Sequence, residues 1–256
     1  LRIVNYFGEQ RFGSARHRRG FIARYLIKDD FESALKLAIA TESRKDHMEQ
    51  KKFKRTLLEY WGRWREALPK LRRCPERKAI ERLVHSGRDF RAAFCALPYL
   101  LQQFSVYAYQ SYLWNETARR LIEKTCAPLG RALEVNTDYG RLIFSATATT
   151  PLELAELKIP LLARKTQLTG IWAEAAEETL KAEAIELSDL QIPGVRRPFF
   201  GEDLRTLFLA TEDFLLSAPE LDETAKNKLR RKRMIVFSLA SGCYATVLLR
   251  ALDSCV

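Results

Sequence analysis

The chain has little of what most catalytic and metal sites are made from. Its three histidines (His17, His47, His85) stand alone, and its five cysteines (Cys74, Cys95, Cys126, Cys243, Cys255) are odd in number, scattered and without a CxxC pair. Disulfide frameworks and zinc sites need such residues at short, paired spacings, so both are excluded, and buried free thiols in a reducing compartment are expected. There is no run of about 18 apolar residues, so no membrane-spanning helix is expected. The first residues lack the basic-then-apolar order of a secretory signal, so no leader is expected either. Gly-x-Gly-x-x-Gly, His-Glu-x-x-His and Gly-x-Ser-x-Gly are all missing, and no motif sets one of the lone histidines as the base of a serine or cysteine nucleophile. Gly8 and Gly13 have the separation of a phosphate loop, but the lysine that would reach the phosphates is lacking. Asn115-Glu116-Thr117 fits a glycosylation sequon but lies inside an apolar, aromatic helix pattern, where it reads as a chance match.

What is present is a core and a lopsided charge. In 256 residues, 47% hydrophobic and 11% aromatic side chains are ample for a buried interior. The formal charge is +11, and residues 11–91 hold 23 Lys and Arg against 11 Asp and Glu, while the remainder is near balance. A local surplus of that kind repels itself unless a polyanion uses it, which points to RNA or DNA; the competing reading is a set of merely solvated helix faces. The candidate contacts are Arg16, Arg18 and Arg19, and the run Lys51, Lys52, Lys54 and Arg55 around Phe53.

Periodicity predicts a largely helical middle. Phe31, Ala34, Leu35, Ala38 and Ile39 follow a helical template behind Asp29 or Asp30 as cap. Residues 48–67 continue in helical style, with Trp61 and Trp64 suited to the core or, less simply, to stacking on bases. A many-sided apolar helix is expected over Phe104–Glu123, a hairpin over 131–147 around Asp138-Tyr139-Gly140, a helix from near Pro151, and an acidic helix over Trp172–Glu186. Ile192-Pro193-Gly194 forces a turn. The chain then closes with MIVFSL as a strand, SGCY as a turn and ATVLLRAL as a helix.

The stretch NYFGEQRFGS at 5–14 concentrates chemistry. Phe7 offers a ring, Asn5 and Gln10 offer amides, Arg11 a guanidinium, and Gly8 and Gly13 a pliable backbone. A ring stacks on an unpaired base, an amide reads its edge and an arginine holds phosphate, so these are the parts of a base pocket; an ordinary aromatic turn uses the same residues. NYFGEQRFG resembles the signature of the TruD family of tRNA pseudouridine synthases. FSVYAYQSYLWNETARRL at 104–121, FSLASGCYATVLLRAL at 237–252 and, more weakly, RRPFFGEDL at 196–204 are similar to the same family in the same order.

The resemblance implies an α+β fold, with a mixed, largely antiparallel sheet, flanking helices and a helix-rich insertion domain. It divides the chain into a catalytic-domain portion at 1–41, the insertion at 42–205 and a C-terminal strand and helix at 206–256, the insertion forming one wall of an RNA cleft. It makes Phe7 the ring that stacks on the target uracil, Asn5 an active-site asparagine, and Gly242, Tyr244, Ala245 and Thr246 the motif that completes the sheet. It implies no metal or organic cofactor, RNA and above all tRNA as partner, no membrane, a monomer and an intracellular location. The family's catalytic aspartate belongs to a Gly-x-Lys-Asp-like motif a few dozen residues before the signature. Lys28-Asp29-Asp30 follows the signature and reads as a helix cap, so the nucleophile is expected upstream of this chain. The alternative is a non-catalytic RNA-binding or assembly protein on the same fold.

Overall fold

In the computed structural model the described residues are 2–15, 19–125, 132–145, 152–224 and 229–253. Arg16 and Arg18, two of the expected RNA contacts, lie outside them.

Strand β1 (Arg2–Val4) runs into a 3-10 turn (Glu9–Ala15), then helices α1 (Ile22–Leu26) and α2 (Phe31–Ile39). The cap of α2 is Asp30, whose carboxylate accepts the Ser33 N–H at 3.0 Å and satisfies an amide the helix start leaves open. The helix expected over 48–67 is two, α3 (Met48–Glu59) and α4 (Trp64–Ala67). Gly62 between them sits at φ +88°, a conformation that no helix continues through and that glycine adopts without strain. Both tryptophans serve packing: Trp64 is buried and donates its indole N–H to Gly87 O at 2.9 Å, and Trp61 lies parallel to Phe90. Helices α5 (Arg77–Ser86) and α6 (Phe90–Cys95) complete this basic layer. Arg91 of α6 reaches back to Asp29, the left-handed residue at the α1–α2 corner, at 2.7 Å.

Helix α7 (Tyr99–Thr125) is the spine, about 40 Å long at the usual helical rise. It starts directly after Pro98, earlier than the apolar pattern suggests, because the Pro98 carbonyl already accepts the Leu101 and Gln102 N–H groups at 3.0 and 3.2 Å. Val106, Tyr109, Leu113, Trp114, Ala118 and Ile122 are buried around most of its circumference, against the 3-10 turn, α1, the hairpin β2 (Ala132–Thr137)–β3 (Gly140–Ser145) and helix α9 (Ala173–Glu183). The segment near Pro151 gives only one helical turn, α8 (Leu152–Ala155), before strand β4 (Lys158–Pro160).

The class is α+β, and the sheet consists of antiparallel two-stranded pairs. Strand β4 pairs with β5 (Leu204–Thr206), and β1 pairs with β6 (Phe208–Ala210). Leu207 joins the two pairs: its N–H donates to Leu157 O and its carbonyl accepts the Asn5 N–H, both at 2.8 Å. Further on, β7 (Glu212–Leu216) pairs with β10 (Ile235–Ser238), and β8 (Glu220–Leu221) with β9 (Arg231–Lys232). Helix α10 (Ala245–Asp253) ends the described chain, so the strand, turn and helix expected there are present. One hydrophobic core runs from Ile3 to Ala251 and crosses both expected domain boundaries. Three thiols depart from expectation: Cys74 and Cys243 are half-buried and Cys95 is exposed at the end of α6, where the buried face belongs to Ala93 and Phe94, while Cys126 and Cys255 lie outside the described residues.

Candidate active site

The opening motif becomes a site because three distant parts of the chain meet on it. From β1 the chain passes Asn5, Tyr6, Phe7 and Gly8, all buried. Tyr6 anchors the segment from below: its hydroxyl donates to Ile143 O at 2.9 Å and accepts the Ile143 N–H at 3.3 Å, and burial pushes its phenol far up from the ordinary tyrosine range. Asn115 of α7 holds Phe7 as a partner strand would. Its side-chain oxygen accepts the Phe7 N–H at 2.8 Å and its amide donates to Phe7 O at 3.0 Å. That double role leaves the Asn115 amide inside the protein, which fits the reading of its sequon as accidental.

The Phe7 ring stands edge-to-face against Trp114 at 5.6 Å and Tyr244 at 6.2 Å. Gly8 is glycine for a reason the structure makes explicit: a Cβ there would lie 2.8 Å from the Tyr244 ring. Gly13 faces open space, and its backbone makes no comparable demand. Gly242, at φ +84°, turns the chain into α10 and so brings Tyr244 to the motif. Gln10 is exposed on the rim. Arg11 donates from Nε to Ser111 Oγ at 3.1 Å and lies over the Tyr107 ring at 4.8 Å and Phe7 at 5.5 Å.

At the centre stands Arg205, which sequence reasoning did not single out. Its guanidinium carbon is 4.1 Å from the centroid of the Phe7 ring. Nη2 donates to Asn5 Oδ1 at 2.6 Å, Nε to Asn5 O at 2.8 Å and Nη1 to Gly242 O at 3.0 Å. Asn5 spends its amide N–H groups on Thr206 O and Thr206 Oγ1, at 3.2 and 3.1 Å, so both ends of that amide are engaged within the protein. Burial lowers the affinity of the Arg205 guanidinium for its proton, and among the described residues no carboxylate bonds to it. The only local hint was the apolar run around it, and the family-like stretch at 196–204 stops one residue short.

Beside Phe7 opens a cavity of about 540 Å³, bounded by Gly8 to Gln10, Phe12, Tyr139, Thr246 and Arg250. Arg250 closes one side by pairing with Glu9 at 2.6 Å. Lys45, also missed from the sequence, brings the basic region to its edge. Of the expected RNA contacts, Lys54 is paired with Asp46 and Arg55 with Glu42, each at 2.7 Å. Lys52 is exposed and Lys51 half-buried on the same helix, and Arg19 is exposed beside a groove formed by α1 and α2.

The family model described as tRNA pseudouridine synthase D (TruD) matches residues 1–252. The chain belongs to the TruD family. It is 31% identical over 97% of its length to the tRNA pseudouridine synthase D of Aquifex aeolicus, covering 60% of that protein. It is 30% identical over 98% of its length to the "Probable tRNA pseudouridine synthase D" of Methanopyrus kandleri, covering 57% of it. A crystal structure of TruD from Methanosarcina mazei superposes with a TM-score of 0.71 at 24% identity, over 96% of this chain and 60% of that one, and so shares the fold. The chain thus spans about 60% of the length of the TruD proteins it matches.

Proposed function

We propose that the protein isomerises a flipped-out uridine of tRNA to pseudouridine. The reading rests on one observation above all: the TruD signature at 5–13, the α7 motif through Asn115 and the C-terminal motif through Gly242 and Tyr244 converge around a single aromatic ring, Phe7. In this reaction the bond from the ribose C1′ to N1 of uracil breaks, the base turns, and C1′ bonds to C5. The C5 proton is lost and N1 gains one, so nothing is oxidised and no group is consumed. The aromatic box around Phe7 gives a rotating base a low-dielectric, water-poor seat. The guanidinium groups at its rim, Arg11 and Arg250, suit the phosphates on either side. Neither step calls for a metal or organic cofactor. Residues 42–205 are read as the insertion, with Lys45, Lys51 and Lys52 facing the RNA, and the protein as an intracellular monomer.

The nucleophilic carboxylate of this reaction is expected upstream of the signature. Asp29 is tied to Arg91 and Glu9 to Arg250, and no carboxylate among the described residues bonds to Asn5, Phe7 or Arg205. The second reading is an RNA-binding protein without chemistry. The test is full-length protein supplied to tRNA from a host lacking the gene, with pseudouridine scored by carbodiimide modification and primer extension. New pseudouridine is expected, and Phe7→Ala should slow its single-turnover formation by about 10²-fold if base placement fails. Salt-dependent tRNA binding with every uridine left unchanged would establish the second reading instead.

A further inference from the structure

Among the described residues, three aromatic side chains are well exposed: Tyr99 at 46%, Phe104 at 51% and Phe199 at 50%. All three lie around the first turns of α7. Every other described ring is buried or half-buried, so this face gathers planar apolar surface that the fold itself does not use.

The rings are held in place. Gln103, itself buried, clamps the Phe199 backbone to α7: its amide donates to Phe199 O at 3.1 Å, and its oxygen accepts the Phe199 N–H at 3.4 Å and the Tyr99 hydroxyl at 3.1 Å. On the helix, Leu100, Phe104, Tyr107 and Ser111 fall at i, i+4, i+7 and i+11, one stripe about 16 Å long at the helical rise. Its far end is the opening motif. Arg11 donates to Ser111 and lies over Tyr107 and Phe7, and Ser14 donates to Phe104 O at 3.4 Å.

Charge sets the kind of partner. From Tyr99 to Asn115 α7 carries no charged side chain, and arginines stand at both ends of the stripe: Arg11 at one, and at the other the exposed Arg196 and Arg197, which lead into Phe199. Planar faces between guanidinium groups suit a strand with planar bases and an anionic backbone. An apolar protein partner would have no use for the flanking arginines.

A uridine that leaves its stack also strips its neighbours of a stacking partner. Resting on the reading of the site as a uridine site, we propose that unpaired bases flanking the target uridine stack on Phe104 and Phe199, their phosphates lying between Arg11 and the Arg196–Arg197 pair. The outer face of α7 is then a single-strand track that leads RNA to Phe7.

Fluorescence anisotropy on the full-length protein tests this with an unstructured RNA octamer carrying one central uridine, and with the same octamer made abasic on both sides of that uridine. The unmodified protein should bind the intact octamer about 5-fold or more tighter, the range of a stacking contact. The double variant Phe104→Leu, Phe199→Leu should lose most of that preference while the slope of affinity against salt stays as it was, because no charge has changed. An undiminished preference in the double variant overturns the inference, since the flanking bases then rest elsewhere. A fall in the urea midpoint of the RNA-free variant as large as that of a buried position overturns it too, because the face is then covered by protein. The uridine-site reading is checked separately by a third octamer in which the uridine alone is abasic. If that octamer binds as tightly as the intact one, and Phe7→Ala alters neither, the uridine site is refuted while the flank preference still reports on the track.

Discussion

Helix α7 and the β7–β10 ribbon carry comparable apolar content and use it in opposite ways. Along α7 even polar side chains are buried, and their amide N–H groups find partners: Gln102 donates to Leu97 O at 2.7 Å, Gln110 to Gly201 O at 2.7 Å, and Asn115 takes both sides of Phe7. On the ribbon, Leu215 is 65% exposed and its cross-strand partner Val236 46%, while on the other face Phe237 is only half-buried against the core. An antiparallel pair ordinarily buries one face, and a lone two-stranded ribbon is marginal in water. The contrast teaches that cooperative stability resides in the α7 core, which also carries the site, while the Leu215 face of the ribbon contributes little.

The largest effect should come from the core. Leu113→Ala removes a fully buried side chain from α7 and is expected to cost about 3 kcal/mol in a urea melt. Next is Asn115→Leu, which keeps volume but strands the Phe7 N–H and carbonyl; about 2 kcal/mol should be lost, with RNA-independent unfolding as the readout. Gly8→Ala forces a Cβ onto the Tyr244 ring and should cost about 1–2 kcal/mol, most of it recovered when Tyr244→Ala is added; an additive double mutant would show that the two residues are not in contact. At the small end, Leu215→Lys on the ribbon should change stability by less than about 0.5 kcal/mol. A loss comparable to Leu113→Ala would mean that the Leu215 face is covered after all, and the comparison would fail. Lys52→Ala should leave melting unchanged and lower the salt slope of tRNA binding by about one charge.

Much of the α7 side of the molecule could be read directly. Asp30 caps its helix, the many-sided apolar pattern gives a buried helix, and Gly140 closes a hairpin whose six cross-strand partners are all in register. The motif at 5–14 was readable as a place, because rings, amides and glycines seldom crowd together without purpose. Its wiring was not. Strands β4, β5 and β6 are three residues each, too short for period-two alternation to register, and they pair with segments tens to hundreds of residues away. Arg205 inherits that blindness: nothing near it in sequence says that it will reach Asn5. Likewise Asn115 reads as one more polar position on a helix until Phe7 is placed beside it. The break at Gly62 was legible in principle, since glycine ends helices through left-handed backbone, but helical spacing on both sides masked it.

The pairing of Glu9 with Arg250 spans 241 residues, and Arg205 reaches Asn5 across 200. Contacts of such high order form slowly, because the chain must give up the freedom of the whole intervening loop before either bond is rewarded. During synthesis the opening motif emerges well before Tyr244. The α7 core can close while the pocket is still one-sided. A kinetic experiment that follows Tyr244 against Gly8 would therefore see the pocket assemble as a final, separate event, after the protein already looks folded by every helical signal.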